Sequence, residues 1–159
     1  MTHLTVRRAH AGDVAEVLRL RQMMLEALGH GAEDTAWHSA SLPGLRKRLA
    51  DPDGDFAAFV AEHPSSTGRL GTMAAGTVDY RIGNPGAPLG NRGHVFGVVT
   101  APDVRRAGGA RACTRALLDW FRERGVVQVD LNASREAEPL YASLGFVRRP
   151  DPAMRLDLS

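Results

Sequence analysis

The most informative run of the sequence is VFGVVTAPDVRRAGGAR, which occupies residues 95–111. Its first part is apolar and β-branched, its middle is basic and contains glycines, and its end has the apolar spacing of a helix. This order predicts a strand, a loop and a helix. A loop that ends where a helix begins directs free backbone N–H groups and the positive end of the helix dipole at one place. The sequence therefore predicts an anion-binding site there.

The residues that follow extend this unit. Apolar residues continue at helical spacing as far as Gly125, which is expected to end the helix, and residues 126–131 form a β-branched run after a very short turn. A strand, a helix and a second strand between residues 95 and 132 predict a βαβ unit with parallel strands and a right-handed crossover. Ligands of such units bind at the carboxyl ends of the strands.

The flanking sequence predicts further elements on the same local rules. Asp13 is expected to cap the first helix and Gly29 to end it. Residues 29–42 and 82–93 are expected to be loops, in which Trp37 and His38 either line a substrate cleft or pack over the helix pair. The predicted strands are residues 4–9, 56–62, 71–81, 146–148 and 154–158, and the predicted helices are residues 14–28, 42–49 and 138–144.

Composition limits the function classes. The chain has 159 residues, which suits one domain over residues 1–159, and its net charge is +2 from 20 Lys+Arg and 18 Asp+Glu. Lys47 is the only lysine, and arginine suits bidentate phosphate contacts, but a compositional habit of the genome is the preferred explanation of the bias. Charges of both signs are interspersed and aromatic residues make up 6% of the chain, so no nucleic-acid partner is expected.

The chain carries no obvious targeting or redox signal. Cys113 is the single cysteine, and no run approaches the roughly 20 apolar residues of a membrane span. Residues 1–21 lack the apolar centre of a signal peptide. A cytoplasmic location is expected, with no membrane partner and no metal.

Two common phosphate-binding motifs are missing from the glycine-bearing loop. It lacks the Gly-Lys-Ser/Thr ending of a P-loop and the Gly-x-Gly-x-x-Gly fingerprint of dinucleotide sites. It contains instead the pattern Arg105-x-x-Gly108-x-Ala110, with Pro102 upstream and Asn132 at the end of the next predicted strand. About thirty residues further on stands the box LYASLGF, residues 140–146. Together with the order of the elements, these motifs resemble the GCN5-related N-acetyltransferase (GNAT) superfamily over essentially the whole chain.

The resemblance implies a fold and a reaction. The fold class is α/β, or α+β with a mixed sheet: a twisted, mostly antiparallel sheet of six to seven strands, a parallel βαβ pair at the coenzyme site and about four helices. The reaction implied is acetyl-CoA-dependent transfer of an acetyl group to a primary amine, by direct attack in a ternary complex. No covalent enzyme intermediate is expected, because Cys113 falls within a helix pattern.

Several alternatives stay open at this point. The acceptor amine could belong to a protein N-terminus, a lysine, an antibiotic, a polyamine or a small metabolite, and the chain could be a monomer or a homodimer. The rival function is a non-catalytic acyl-CoA-binding or sensor domain, because fold does not determine function.

The resemblance also assigns the coenzyme contacts. The loop would hold the pyrophosphate of coenzyme A, the strand before it would pair its backbone with the pantetheine arm, and the end of the neighbouring strand would lie beside that arm. The positions concerned are Val98, Val99, Thr100, Arg105, Arg106, Ala107, Gly108, Gly109, Ala110, Arg111, Asn132 and Ser134.

Tyr141 takes the position of the general acid in this family. A phenol with a pKa of about 10 can protonate a departing thiolate whose conjugate acid has a pKa near 8.5, by analogy with cysteine. The alternative is that Tyr141 only packs the short helix on the sheet. The base is less certain, since residues 95–100 contain no carboxylate; His94, Glu62 and Asp79 are candidates, and a water-relayed base is equally consistent.

Overall fold

The computed structural model describes residues 4–30 and 33–159, which form one sheet of six strands and four α-helices. The predicted fold class is confirmed. The elements are β1 (Val6–Arg8), α1 (Val14–Ala27), α2 (Trp37–Leu49), β2 (Phe56–Glu62), β3 (Leu70–Tyr80), β4 (Asn91–Val95), β5 (Val99–Thr100), α3 (Gly109–Glu123), β6 (Val129–Leu131) and α4 (Glu138–Ser143).

The sheet has the order β1-β2-β3-β4-β6, and β5 pairs with β3 in line with β4. The pairs are antiparallel except that β4 runs parallel to β6, with Val95 opposite Leu131. Helix α3 connects these two parallel strands, so the predicted βαβ unit is confirmed. The anion-binding loop lies where β5 leads into α3.

Each face of the sheet is covered by helices. Leu20 and Met73 belong to a core between the sheet and the pair α1 and α2, whereas Leu117 and Phe121 of α3 pack on the opposite face. Phe121 approaches the sheet closely because Gly76 has no side chain there: a Cβ at this position would lie 2.9 Å from the Phe121 ring. A packed core therefore lies on each face of the sheet.

The strand predicted over residues 95–100 is wrong in its bounds. β4 begins four residues earlier, at Asn91, and the pairing is interrupted before β5. Val95 lies opposite Gly76 but Val99 lies opposite Met73, so four steps along this strand match three steps along β3. One residue is therefore extra, which is the definition of a β-bulge, and bulges bend a strand away from its neighbour.

The first helix is predicted well and the second is not. α1 ends at Ala27, and Gly29 follows with a left-handed φ of 75°, as expected for the residue that stops a helix. α2 begins at Trp37, five residues before the predicted start, so residues 37–42 are helix rather than loop; residues 31–32 of that predicted loop lie outside the described residues. Pro43 lies within α2 and interrupts the helical sequence pattern, so the pattern does not predict where this helix begins. Contacts with α1 hold the first turn of α2 in place.

Those contacts centre on a buried glutamine of α1. The Gln22 Oε1 atom accepts a hydrogen bond from Trp37 Nε1 at 2.9 Å and lies 3.1 Å from His38 Nε2. Trp37 thus packs over the helix pair, which was one of the two alternatives for this residue. Its side chain also lines a cavity under α2.

The two strands predicted at the end of the chain are not formed. Residues 144–159 contain no strand, and the side chains of Val147, Met154, Leu156 and Leu158 are 84%, 91%, 80% and 90% exposed. Apolar and polar residues alternate in this part of the chain, as they do in a strand. A strand also needs a neighbouring strand to pair with, and the local sequence does not specify one.

One buried hydroxyl leads to a stability prediction. Thr114 of α3 is fully buried, and its Oγ1 atom has no hydrogen-bond partner among the described residues. We expect Thr114→Val to raise the free energy of unfolding, measured in urea without coenzyme, by about 1 kcal/mol, since it removes an unsatisfied polar atom at nearly constant volume. Thr114→Ser, which keeps the hydroxyl and loses the methyl group, should lower it instead. A lower free energy of unfolding for Thr114→Val would contradict the conclusion that the Thr114 hydroxyl has no hydrogen-bond partner.

Candidate functional site

The predicted anion site lies at the amino end of α3. The first helical hydrogen bond runs from the Ala112 N–H to the Gly108 carbonyl at 3.0 Å, so the N–H groups of residues 109–111 have no acceptor within the helix. Gly108 and Arg106 have left-handed φ values of 83° and 66°, and such turn conformations form anion-binding concavities. A Cβ on Gly108 would meet no heavy atom within 4 Å, so the loop is open to a phosphate group.

Two contacts hold this loop in place. A Cβ on Gly109 would lie 2.5 Å from the Thr72 Oγ1 atom, so only glycine lets the helix start so close to β3. His63 Nε2 lies 2.7 Å from Asp103 Oδ2 and joins the turn after β2 to the start of the loop. This hydrogen bond holds the pKa of Asp103 below its usual value. The sequence did not reveal the pair, because its members are 40 residues apart.

The strand that precedes the loop has a free side. Gly97 O accepts a hydrogen bond from β3 at 3.2 Å and Ala101 N donates one to β3 at 2.8 Å. Because backbone groups alternate along a strand, those of Val99 also face β3, while those of Val98 and Thr100 face away from it. β5 pairs with β3 alone among the described strands, and β6 ends beside β4. The space between β5 and the chain that follows β6 is called the strand opening below.

The residues after β6 lie on the other side of this opening. Asn132 follows β6 directly and lines a cavity of about 790 Å³, to which Tyr141 also contributes. Ser134 forms a turn instead, since its Oγ atom accepts a hydrogen bond from the Ala137 N–H at 3.2 Å. Of the two residues predicted beside the pantetheine arm, Asn132 is the one whose side chain is not engaged in this turn.

A side-chain contact joins α4, which carries Tyr141, to the first turn of α3. Arg111, in the first turn of α3, donates a hydrogen bond to Ser143 Oγ at 2.5 Å, and Ser143 is two residues from Tyr141. The Tyr141 side chain is 8% exposed and packs edge-on against Phe146 at 5.8 Å between ring centroids. Burial raises the pKa of the Tyr141 phenol, so it keeps its proton at neutral pH.

The base candidates are separated by the sheet. His94 lies opposite Thr77 of β3, whereas Glu62 lies opposite Leu70 at the other end of β3. Seven residues of strand span about 23 Å, so Glu62 and His94 do not share a site. Glu62 instead lies 3.7 Å from Arg7 in an ion pair. Glu62 and His94 therefore remain separate candidates for the base, opposite different parts of β3.

His94 belongs to a polar row that sequence reasoning missed. The register places Thr77, His94 and Asp130 side by side on β3, β4 and β6, about 4.8 Å apart from strand to strand. Asp79 lies two residues along β3 on the same face, within 3.3 Å of the Thr77 hydroxyl. The signal in the sequence was a polar residue at alternate strand positions, but only the register shows which positions meet.

The same face of the sheet carries two adjoining cavities under α2, together called the α2 cleft. Their volumes are about 340 and 410 Å³, and Gly44, Arg48 and Phe56 line both. Arg21 enters the smaller cavity and donates a hydrogen bond to the Phe96 carbonyl at 3.0 Å. Lys47 lines the larger one. Three cations therefore line the α2 cleft, together with the carboxylates of Asp51, Asp55 and Asp79 in its larger cavity.

The single cysteine lies within α3, on the side that packs against the sheet. Cys113 is fully buried, and burial raises the pKa of its thiol to about 12. Within residues 4–30 and 33–159, no group of three or more His, Cys, Asp and Glu side chains could hold a metal ion. None of the helices in the part of the chain that the structure describes is long and apolar enough to cross a bilayer.

Comparison with known proteins gives the family. Residues 19–146 match the model of the acetyltransferase (GNAT) family. The chain is 31% identical over 137 residues to glucosamine 6-phosphate N-acetyltransferase of Trypanosoma brucei brucei, covering 84% of this chain and 86% of that protein. It is 29% identical over 149 residues to glucosamine 6-phosphate N-acetyltransferase 1 of Oryza sativa subsp. japonica, covering 89% and 88%.

Solved structures agree with this fold. The crystal structure of a "predicted acetyltransferase with acetyl-CoA" from Clostridium acetobutylicum superposes with a TM-score of 0.83 at 20% identity, covering 98% of this chain and 97% of that one. The family match spans most of the sequence, including the glycine-bearing loop and Tyr141. The chain belongs to the acetyltransferase (GNAT) family and is an N-acetyltransferase.

Proposed function

We propose that this enzyme transfers the acetyl group of acetyl-CoA directly to the primary amine of a small anionic acceptor, with a phosphorylated amino sugar as the first candidate. The observation that carries the proposal is the strand opening. It has the amino end of α3 at one end, and the Arg111–Ser143 contact joins α4, which carries Tyr141, to that helix end. A thioester held along β5 would then present its sulfur to a buried phenol.

The chain's own groups fit acetyl-CoA. Free N–H groups at residues 109–111 and the helix dipole suit a pyrophosphate, and Gly108 leaves room for it. Val98 and Thr100 direct unpaired backbone groups into the strand opening, where they could pair with the amides of the pantetheine arm as an added strand does. Val99 has no such role, because its backbone groups face β3.

Tyr141 and His94 take the two proton transfers in this proposal. An alkyl amine has a pKa of about 10.4, so about one molecule in a thousand is neutral at pH 7. His94 accepts the amine proton directly or through water, and its ring stacks on Phe96 at 6.2 Å between ring centroids. As the new C–N bond forms and the C–S bond breaks, Tyr141 donates its proton to the departing sulfur. The buried Cys113 thiol takes no part.

The smaller cavity of the α2 cleft suits an acceptor that carries negative charge. Its only charged side chains among the described residues are Arg21 and Arg48, whereas Asp51, Asp55 and Asp79 line the larger cavity with Lys47, and no ion pair of Arg48 is found in the described part of the chain. Arginine is well suited to phosphate oxygens, and Trp37 and Phe56 offer flat apolar surface to a sugar ring. The two curated relatives are named for glucosamine 6-phosphate, which combines a primary amine, a ring and a phosphate.

The test is a thiol-release assay with matched acceptors. Glucosamine 6-phosphate, glucosamine, a polyamine, a lysine peptide and an aminoglycoside should be compared at equal concentration. We expect kcat/KM for the phosphorylated sugar to exceed that for glucosamine by at least about tenfold, the value of one modest charged contact. A higher kcat/KM for an uncharged or cationic amine would overturn the acceptor class. Tight coenzyme binding without thiol release for any amine would favour the non-catalytic acyl-CoA-binding domain.

Arg48→Gln tests the acceptor side alone. Removing this guanidinium should raise KM for glucosamine 6-phosphate by about 10- to 100-fold, the equivalent of about 1.5–3 kcal/mol for a charge-assisted hydrogen bond. KM for glucosamine and for acetyl-CoA should not change. Arg46→Gln is the matched control, since Arg46 is exposed on the same helix and lines neither cavity of the α2 cleft. Equal effects of the two variants would remove Arg48 from the acceptor site.

His94→Gln tests the base. The variant keeps a polar side chain of similar length but cannot take up a proton at neutral pH, so kcat should fall by about 100-fold while coenzyme affinity is unchanged. His10→Gln is the control, because His10 lies at the start of the first turn before α1, where its Nδ1 atom accepts the Gly12 N–H. If His94→Gln retains full kcat, a water chain without His94 must accept the proton.

A further inference from the structure

The loop before α3 has few backbone hydrogen bonds of its own. In residues 102–108, here called the coenzyme loop, the N–H groups of residues 106–108 have no backbone acceptor in the described part of the chain. Arg106 also has a left-handed φ of 66°, which residues with a side chain rarely adopt. N–H groups that stay free for an anion do not fix the loop, so contacts with other segments must hold its shape.

Such contacts come from one end of the β2–β3 hairpin. A Cβ on Gly71 would lie 3.1 Å from Val104 Cγ2, so Val104 packs where a larger residue at position 71 would clash. The Ala101 N–H donates a hydrogen bond to the Gly71 carbonyl at 2.8 Å, directly before the coenzyme loop. Among residues 4–30 and 33–159, the bond between His63 and Asp103 is the one side-chain hydrogen bond that joins this hairpin to the coenzyme loop.

The His63 imidazole is held in one orientation. Its side chain is 11% exposed, and its Nδ1 atom accepts the Ser65 N–H at 3.2 Å. A neutral imidazole that accepts at Nδ1 carries its proton at Nε2, the atom that lies 2.7 Å from Asp103 Oδ2. The His63 N–H donates to the Arg69 carbonyl at 2.7 Å and closes the turn. The turn therefore presents a fixed N–H donor to the Asp103 carboxylate.

Asp103 is an unusual residue to find beside an anion site. It is the only acidic residue between Asp79 and Asp119 in the sequence. The hydrogen bond from His63 holds its pKa below the usual value, so the carboxyl group is ionised at neutral pH. A carboxylate in the coenzyme loop opposes the binding of a pyrophosphate through like charge. The hydrogen bond to His63 is the contact of Asp103 whose effect on the loop can outweigh this repulsion.

We propose that His63 is a positioning residue for coenzyme A. Through Asp103, it holds the coenzyme loop in the conformation in which the N–H groups at the amino end of α3 face the pyrophosphate. A loop that spends less time in this conformation binds the coenzyme more weakly in the same proportion, because the loop must then be ordered on binding. The pyrophosphate site is part of the function proposed above, so this role of His63 depends on that site.

The first experiment is calorimetry of the full-length protein with coenzyme A. His63→Ala should raise Kd by about 5- to 10-fold, the effect of losing one charge-assisted hydrogen bond that is partly open to solvent. His63→Gln keeps an amide N–H that can reach the same carboxylate, and Kd should return to within about twofold of the parent value. An unchanged Kd in His63→Ala, or an equal loss in His63→Gln, overturns the proposal.

His10 provides the matched control. Like His63, it accepts at Nδ1 the N–H group two residues further on, that of Gly12 at 3.1 Å, and its Nε2 atom faces a carboxylate, Asp13 at 3.6 Å. It lies before α1 and has no contact with the coenzyme loop among its hydrogen bonds and ion pairs in the described residues. His10→Ala should change Kd by less than about twofold. A loss as large as that of His63→Ala would show that affinity follows general stability.

Asp103 gives a test in which charge and positioning predict opposite signs. Removal of a negative charge beside an anion site should by itself strengthen binding. The positioning role predicts instead that Asp103→Ala raises Kd by about 3- to 10-fold, whereas Asp103→Asn, which keeps the acceptor oxygen, binds at least as well as the parent protein. His63→Ala should have no further effect in the Asp103→Ala background. Tighter binding by Asp103→Ala overturns the proposal.

Kinetics separate positioning from catalysis. His63→Ala should raise KM for acetyl-CoA by the same factor as Kd and leave kcat at saturating acetyl-CoA within about twofold, because the proton transfers are assigned to other residues. A fall in kcat at constant KM would contradict a positioning role.

Hydrogen exchange without coenzyme measures the loop itself. The Val104 and Ala112 N–H groups donate to Ala101 O at 3.1 Å and Gly108 O at 3.0 Å, at the two ends of the coenzyme loop. These amides should exchange several-fold faster in His63→Ala than in the parent protein or His63→Gln. Equal exchange in all three overturns the role of His63. A parent protein that binds no coenzyme A would overturn the proposed function as well, whereas normal binding by both the parent and His63→Ala would overturn only the role of His63.

Discussion

Tyr141→Phe is expected to lower kcat by about 100- to 1000-fold while KM for acetyl-CoA and affinity for coenzyme A change by less than about twofold. The ring stays in place, because its contact with Phe146 and its burial do not depend on the hydroxyl. What is lost is the proton for the departing sulfur. Because burial raises the pKa of the Tyr141 phenol, the wild-type enzyme holds this proton at neutral pH.

The matched control is Tyr80→Phe. Tyr80 and Tyr141 are the two tyrosines of the chain, and Tyr80 is 67% exposed with its hydroxyl 3.1 Å from Asp55. This control should keep full kcat. Steady-state kinetics on the preferred amine, with unfolding curves for both variants, measures the difference. A Tyr141→Phe enzyme with near-full kcat would show that Tyr141 only packs α4 on the sheet.

The parts of the site that were predictable are local in sequence. Gly108 and Gly125 mark the two ends of α3, because each turn needs a left-handed residue that glycine supplies without strain. The apolar spacing between them predicts the helix, and the start of the helix predicts the anion site. Each of these features depends on residues within a few positions of one another, so it can be predicted from the sequence alone.

The parts that were not predictable depend on pairing between distant segments. The register that places Asp130 beside His94 joins strands separated by α3, and no local pattern states it. The bulge between β4 and β5 likewise appears only when both are compared with β3. The early start of α2 depends on Gln22, fifteen residues before Trp37. Periodicity predicts that an element exists but not which residues it meets.

Gly108→Glu is expected to weaken coenzyme A binding by more than about 100-fold in calorimetry. The residue lies at the open mouth of the loop, with nothing within 4 Å of the place a Cβ would take, so the new carboxylate would project into the space meant for the pyrophosphate. A like-charge contact at 4 Å opposes binding by about 4 kcal/mol at an effective dielectric constant near 20, and 1.4 kcal/mol corresponds to tenfold in affinity. The helix dipole would favour the carboxylate itself, which makes it a competitor for the same N–H groups.

Backbone strain must be separated from charge, and α3 provides the control at its other end. Gly125 has a φ of 75°, close to the 83° of Gly108, and a Cβ added there would likewise meet no heavy atom within 4 Å. Gly125→Glu therefore carries the same left-handed penalty of about 1–2 kcal/mol in stability, but it lies a helix length away from the loop and should bind coenzyme A normally. Gly108→Ala, which has the strain without the charge, should lose no more than about tenfold in affinity. Unchanged affinity in Gly108→Glu would mean that the pyrophosphate does not bind at the amino end of α3, and the assignment of the loop would fail with it.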